Sequence, residues 1–201
     1  NYYMCDDLIR LGGKYDGGYL VSKSDIKKTN LLLSFGINDD WKFEKDFNSL
    51  NSSPILAYDA STNFELFLKK SLAAFFRYNF IESLTKPFQY LLLKNFFSKK
   101  NTLIKKFVGI DSGKTNISMN NVFKNLNEDQ IFIKMDIEGS EYRCLDSIIE
   151  NQSNITGAVI EFHDVDLNIN RILNFIKNFN LKIVHIHANN YALINKNIPL
   201  I

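Results

Sequence analysis

Apolar positions gather in six short runs along the chain, at residues 31–35, 55–58, 107–110, 131–135, 158–162 and 182–186. Each run is rich in β-branched or aromatic residues and has about the length of a strand buried on both faces. Between the runs the apolar spacing lengthens to the helical period, most clearly over 142–150 and 168–178. Strands alternating with helices predict an α/β fold, a mostly parallel sheet with helices on both faces. The polar residues complete the pattern. The first five runs end in Ser34-Phe-Gly-Ile-Asn-Asp-Asp40, Asp59-Ala-Ser61, Asp111-Ser-Gly113, Asp136-Ile-Glu138 and Glu161-Phe-His-Asp164. Open sheets of this kind place their ligands at the carboxyl ends of the strands.

Residues 62–107 interrupt the rhythm. One helix would usually join the second and third strands, but two apolar patterns stand here, at 64–80 and 88–97. The segment has nine Lys and Arg against Glu65 and Glu82, a net +7, so the remainder of the +2 chain is −5. A basic, Phe-rich helical insert suits a lid, a membrane-surface contact or a site for an anionic substrate. The competing reading is an extra helical pair whose apolar faces complete the core.

Length and composition narrow the classes. At 201 residues the chain suits one domain, and 45% hydrophobic with 23% charged residues is ordinary for a globular protein. The abundance of Asn, Lys, Ile and Phe looks like the bias of an AT-rich genome. Cys5 and Cys144 are far apart and form no C-x-x-C, which argues against a disulfide framework or a zinc cluster. There is no uncharged apolar segment of membrane-spanning length and no secretory signal, so a cytoplasmic location is expected. No nucleic-acid partner is indicated.

The fourth run carries the densest chemistry. In Lys134-Met-Asp-Ile-Glu-Gly-Ser-Glu141 a buried strand ends in Asp136 and Glu138, and Gly139 permits a tight turn into a helix. Two acids at a sheet's end carry a large desolvation cost unless something pairs with them. Helix capping alone is the competing reading. Glu161 and His163 lie two apart and so share a side, and a histidine beside a carboxylate can serve as a general base. His185 and His187 are related in the same way. Asp136, Glu161, His163 and His187 form a divalent-metal set, the less favoured reading because it requires strands to be neighbours in the sheet. The loop at 34–40 holds one glycine and lacks G-x-G-x-x-G, and there is no P-loop, which count against a dinucleotide or other nucleotide enzyme. A nucleoside without pyrophosphate does not need that loop, and Asp59 ends the second strand where an acid can accept from ribose hydroxyls.

Four pieces together resemble the FkbM-type branch of the class I S-adenosylmethionine-dependent methyltransferases. They are Arg10-Leu-Gly-Gly-Lys-Tyr-Asp-Gly-Gly-Tyr19, Ser34-Phe-Gly-Ile with Phe43-Glu44, Lys134 to Glu141, and Glu161-Phe-His163 with His187-Ala-Asn-Asn190. The first glycine loop departs from the commoner D-x-G-A-N-x-G form. The resemblance implies a Rossmann-like sheet, with S-adenosylmethionine as cofactor and S-adenosylhomocysteine as product. It places Asp16, Gly17, Gly18, Ser34, Gly36, Glu44, Asp59, Ser61 and Asp136 around the cofactor. Asp16-Gly17-Gly18 would fold over the pocket, unless it is an ordinary glycine turn. The resemblance also implies O-methylation of a sugar, a glycan of a bacterial surface polysaccharide or a secondary metabolite. His163, Asp136 and Glu161 would be catalytic, while Glu138, His187, Asn189, Asn190 and Tyr191 would line the acceptor. A non-catalytic cofactor-binding or scaffold module is the alternative. The class I fold usually continues into a seventh, antiparallel strand, yet the sequence stops at Ile201. An incomplete last strand would leave a sheet edge open, which favours a homodimer.

Overall fold

The computed structural model describes residues 3–14, 17–109, 111–188, 194–195 and 198–199. Its centre is a five-stranded parallel sheet of β3 (Leu31–Phe35), β4 (Ile55–Tyr58), β5 (Thr102–Ile104), β8 (Ile131–Met135) and β9 (Ile155–Ile160). The spatial order is β5-β4-β3-β8-β9. All five residues of β3 and all five of β8 are buried, because both strands lie in the middle with helices on either face. Side chains alternate across the sheet. Leu32 and Phe132 face one way, onto α1 (Lys23–Lys28) and α2 (Lys42–Leu50), where Ile26, Phe43 and Phe47 pack against them. Leu31, Leu33, Phe35, Ile131, Ile133 and Met135 face the other way, onto α5 (Met119–Lys124), α6 (Leu145–Glu150) and α7 (Val165–Asn178).

An antiparallel hairpin, β1 (Leu8–Gly12) and β2 (Gly18–Ser22), precedes the sheet and leans on α2 through Gly12 N–H donating to Asp46 at 2.9 Å. Between β4 and β5 the insert forms a helical hairpin, α3 (Phe64–Phe76) and α4 (Phe80–Phe96). Asn63 and Asn79 cap the two helices by accepting from the Leu66 and Glu82 backbone N–H groups. Among the described residues no helix is long and apolar enough to cross a membrane.

The structure corrects three strand expectations. The third sheet strand is Thr102–Ile104, not 107–110; β6 (Phe107–Gly109) instead pairs with β7 (Asn116–Ser118) in a separate parallel pair. Lys105 and Lys106 split one apolar stretch into two strands of three residues. The fifth strand begins and ends earlier than expected, at Ile155 and Ile160, so Glu161 and His163 belong to the loop beyond it. Its pairing with β8 has a register shift at Ile131/Phe132, and Gly157 is needed there: a Cβ would meet the Phe132 ring at 2.5 Å. At 182–186 there is an isolated bridge at Ile183, whose carbonyl accepts from Tyr3 N–H at 2.8 Å, rather than a strand. Farther on, β10 (Ile194–Asn195) and β11 (Ile198–Pro199) form a short antiparallel pair.

Candidate functional site

The strand order reverses between β3 and β8, and both strands end in a tight turn there. Gly36 follows β3 with φ +81°, and a Cβ on it would lie 1.7 Å from the Asp136 carbonyl oxygen. The two loops are therefore pressed together at the switch point, where open sheets bind ligands. Lys134, the one cation in a buried strand, donates through Nζ to the Gly36 carbonyl at 2.5 Å. It shares a face with Ser34, its partner in the register, and with Glu44 of α2. Glu44 is fully buried and accepts from Ser34 Oγ at 2.5 Å. Burial pushes its carboxyl above the usual range, with Lys134 and Ser34 pulling the other way.

Asp59 fastens the loop after β3. Its Oδ2 accepts from the Ile37 and Asn38 N–H groups at 2.9 and 2.6 Å, and its Oδ1 accepts from the Ser61 N–H and hydroxyl at 2.7 and 2.6 Å. Burial alone would raise the carboxyl, but these four donors outweigh it and hold the carboxyl below the usual range. A carboxylate has about four lone-pair directions, so a ribose would have to displace a donor to reach this one.

Beyond β8 and β9 the acids converge. Glu138 and Gly139 take left-handed conformations, with φ 55° and 93°, which turns the chain sharply and returns Glu141 beneath the loop. Glu141 is fully buried; its Oε1 accepts from Ile137 N–H at 2.9 Å and meets His163 Nδ1 at 3.0 Å, while its Oε2 is buried without a hydrogen-bond partner among the described residues. The other ring nitrogen, Nε2, lies 3.8 Å from Asp136 Oδ1 and 3.6 Å from Glu138 Oε2. On the other side, the Tyr19 hydroxyl approaches Glu161 Oε2 at 2.8 Å and Asp136 Oδ2 at 3.3 Å. A phenol has one proton, so it satisfies one of these acids and leaves the other to find compensation.

Four carboxylates therefore surround one imidazole. The Glu141 hydrogen bond, reinforced by the charges of Glu141, Glu138 and Asp136 and opposed by burial, lifts His163 to about 9. Glu141 is held below the usual range despite its burial, by His163 and by backbone N–H groups. Tyr19 is pushed far up, by burial first and then by Asp136 and Glu161. At neutral pH His163 is consequently an imidazolium, which donates protons rather than accepting them. The imidazolium is placed to balance negative charge, with a carboxylate oxygen of Asp136 and of Glu161 within 4.8 Å of it.

The structure thus brings Asp136, Glu138, Glu161 and His163 together. Asp136, Glu161 and His163 each offer a ligand atom, all within 4.8 Å of one another, so these three could hold a divalent cation; His187 is not in that group. The His187 ring lies instead beside that of His185, with centroids 6.2 Å apart. Gly17 and Gly18 close the β1–β2 hairpin that carries Tyr19. Asp16, Asn189, Asn190 and Tyr191 lie outside the described residues. Three contributors were missed by the sequence reading: Tyr19, Lys134 and Glu141. A lone lysine inside an apolar strand was a readable signal, whereas nothing local marked the partners of Tyr19.

No protein-family model matches the sequence, and no curated protein matches it. Among solved structures, the chain is similar to an rRNA methylase from Streptococcus thermophilus, with a TM-score of 0.39 and 9% identity over 79% of this chain and 77% of that one.

Proposed function

We propose that this chain is an S-adenosylmethionine-dependent methyltransferase of the FkbM type, acting on a hydroxyl of a sugar, glycan or secondary metabolite. The observation that carries the reading is the excess of carboxylates at the switch point of a parallel sheet. Among the described residues Asp136, Glu138 and Glu141 lie near the His163 imidazolium and Asp136 also near Lys134, with Glu161 beside them, an arrangement that suits a cationic ligand such as a sulfonium. The single-glycine loop at Gly36, with no cradle for a pyrophosphate, suits a nucleoside better than a dinucleotide. Ser34, Gly36 and Asp136 would hold the methionine part, and Asp59, after releasing a donor, the ribose.

When bound, the cofactor supplies a methyl group on positively charged sulfur. The chain's own work is to align an acceptor and to take its proton. Positioning of this kind contributes up to ~7–11 kcal/mol, and proton removal by a placed base a further ~10²–10⁴-fold. Asp136 or Glu161 would take the hydroxyl proton, His163 would balance the charge, and Tyr19 would hold one of the two acids in place. Glu138, 84% exposed, stands at the mouth of the site where an acceptor would enter.

A thermal-shift titration with S-adenosylmethionine, S-adenosylhomocysteine, NAD and ATP tests the reading. Stabilisation by the two sulfur nucleosides alone, near ~2.7 kcal/mol at a hundred times the dissociation constant, is the expected result. A shift with NAD or ATP only would assign the site to another cofactor.

A further inference from the structure

The α3–α4 hairpin carries twelve of the twenty large apolar side chains that stand exposed among the described residues. They form stripes at helical spacing: Leu68, Leu72 and Phe76 on α3, and Ile81, Leu84 and Phe88 on α4. The opposite sides of the helices are already occupied. Phe67 and Leu93 are buried against Ile37, Trp41 and Ala57, and Ser71 donates to the Ser83 carbonyl at 2.6 Å between the helices. The exposed stripes are thus a second apolar face, additional to the one that packs, and far larger than isolated surface apolar residues account for.

Charge selects the occupant. Lys69, Lys70 and Lys86 pair with Glu65 and Asp39. Among the described residues Arg77 and Lys94 of the hairpin make no ion pair, nor do Lys99, Lys100, Lys105 and Lys106 beyond it, so segment 62–107 keeps a positive excess. Two copies of such a segment would repel each other face to face. An anionic surface with an apolar interior meets both features at once. We propose that the α3–α4 hairpin docks on the surface of an anionic lipid bilayer, its apolar stripes at headgroup depth and its unpaired cations, Arg77 and Lys94, against lipid phosphates.

Docking would not be remote from the sheet. Lys70 and Lys86 clasp Asp39, Lys70 also reaches Asn38 Oδ1 at 3.1 Å, and Thr62 Oγ1 donates to the Asn38 carbonyl at 3.0 Å. The hairpin is therefore tied to the loop after β3, and a bilayer under it would lie beside the strand-end site. The docking itself stands whether or not that site is a methyltransferase.

Co-sedimentation with vesicles tests it, using phosphatidylcholine alone and phosphatidylcholine with about one-third phosphatidylglycerol. The expected result is binding to the anionic vesicles that weakens at least ~10-fold in phosphatidylcholine alone or in high salt. Phe76→Ser with Leu84→Ser should weaken it by a similar factor. Both residues are at least 76% exposed, so the variant should keep its melting temperature. Absence of binding, or binding that neither salt nor the double substitution changes, overturns the proposal. A dimer in sedimentation velocity that the same substitutions dissolve would assign the face to a second copy, and would overturn it as well.

Discussion

Beyond the carboxyl ends of β8 and β9, Glu141 lies fully buried beside His163, and between α2 and β3 Glu44 lies fully buried beside Ser34. On the α3–α4 hairpin, by contrast, Phe76 and Leu84 stand mostly in water. One region keeps acids inside and the other keeps large apolar groups outside. Each departure opposes the burial preferences that build the rest of the molecule. The strand-end acids are stabilised internally, by backbone N–H groups, Lys134 and His163. Among the described residues the hairpin's apolar stripes have no such internal compensation, which is why a partner surface is proposed for them. The difference separates acids held by their own neighbours from apolar groups left in water.

Changes at the strand-end site should therefore be costly, and equally drastic changes on the hairpin should not. The largest effect is expected from Gly36→Ala. A Cβ there meets the Asp136 carbonyl and forces a left-handed conformation on alanine, so urea denaturation should show a loss of about 3 kcal/mol or more. Next comes Glu141→Gln, which removes the charge that His163 and two loop N–H groups share and should lower stability by about 2–3 kcal/mol.

The same pair gives stability a window in pH. His163 is raised from 6.5 to about 9, so its contribution is complete below pH 6.5 and is lost as pH rises through about 9. Glu141 is lowered from 4.5, so its contribution is present above that value and is lost as pH falls through the depressed one. Melting temperature should therefore fall on both sides of pH 4.5–6.5. His163→Gln should flatten the alkaline limb, and an unchanged limb would mean that His163 titrates normally. The smallest effect is expected from Phe76→Ser with Leu84→Ser, within about 0.5 kcal/mol of the parent in the same denaturation experiment. A loss of several kcal/mol there would show that the hairpin face belongs to the core after all.

Where local pattern decided the outcome, the sequence was readable. β3, β4 and β8 lie where their apolar runs predict, because central strands buried on both faces cannot hide their composition. The helical insert was legible too, as two apolar patterns between strands. Its exposed second face was not, since periodicity marks an apolar stripe without saying what covers it. The edges of the sheet were harder: β5 has only three residues, and β9 pairs through a register shift beside Gly157, whose closeness to Phe132 across the sheet no local pattern reveals. At the site, Asp136, Glu161 and His163 could be read from strand ends. Tyr19 could not, because it lies 117 and 142 residues from the acids it touches.

The most direct test of the central claim compares the dissociation constants of S-adenosylmethionine and S-adenosylhomocysteine by calorimetry. The two differ at sulfur in a methyl group and a positive charge. Carboxylates gathered at the strand ends predict that the sulfonium binds at least about fivefold more tightly, and that Asp136→Asn erases much of that preference. Equal or weaker binding of the sulfonium, or no binding of either, would contradict the account.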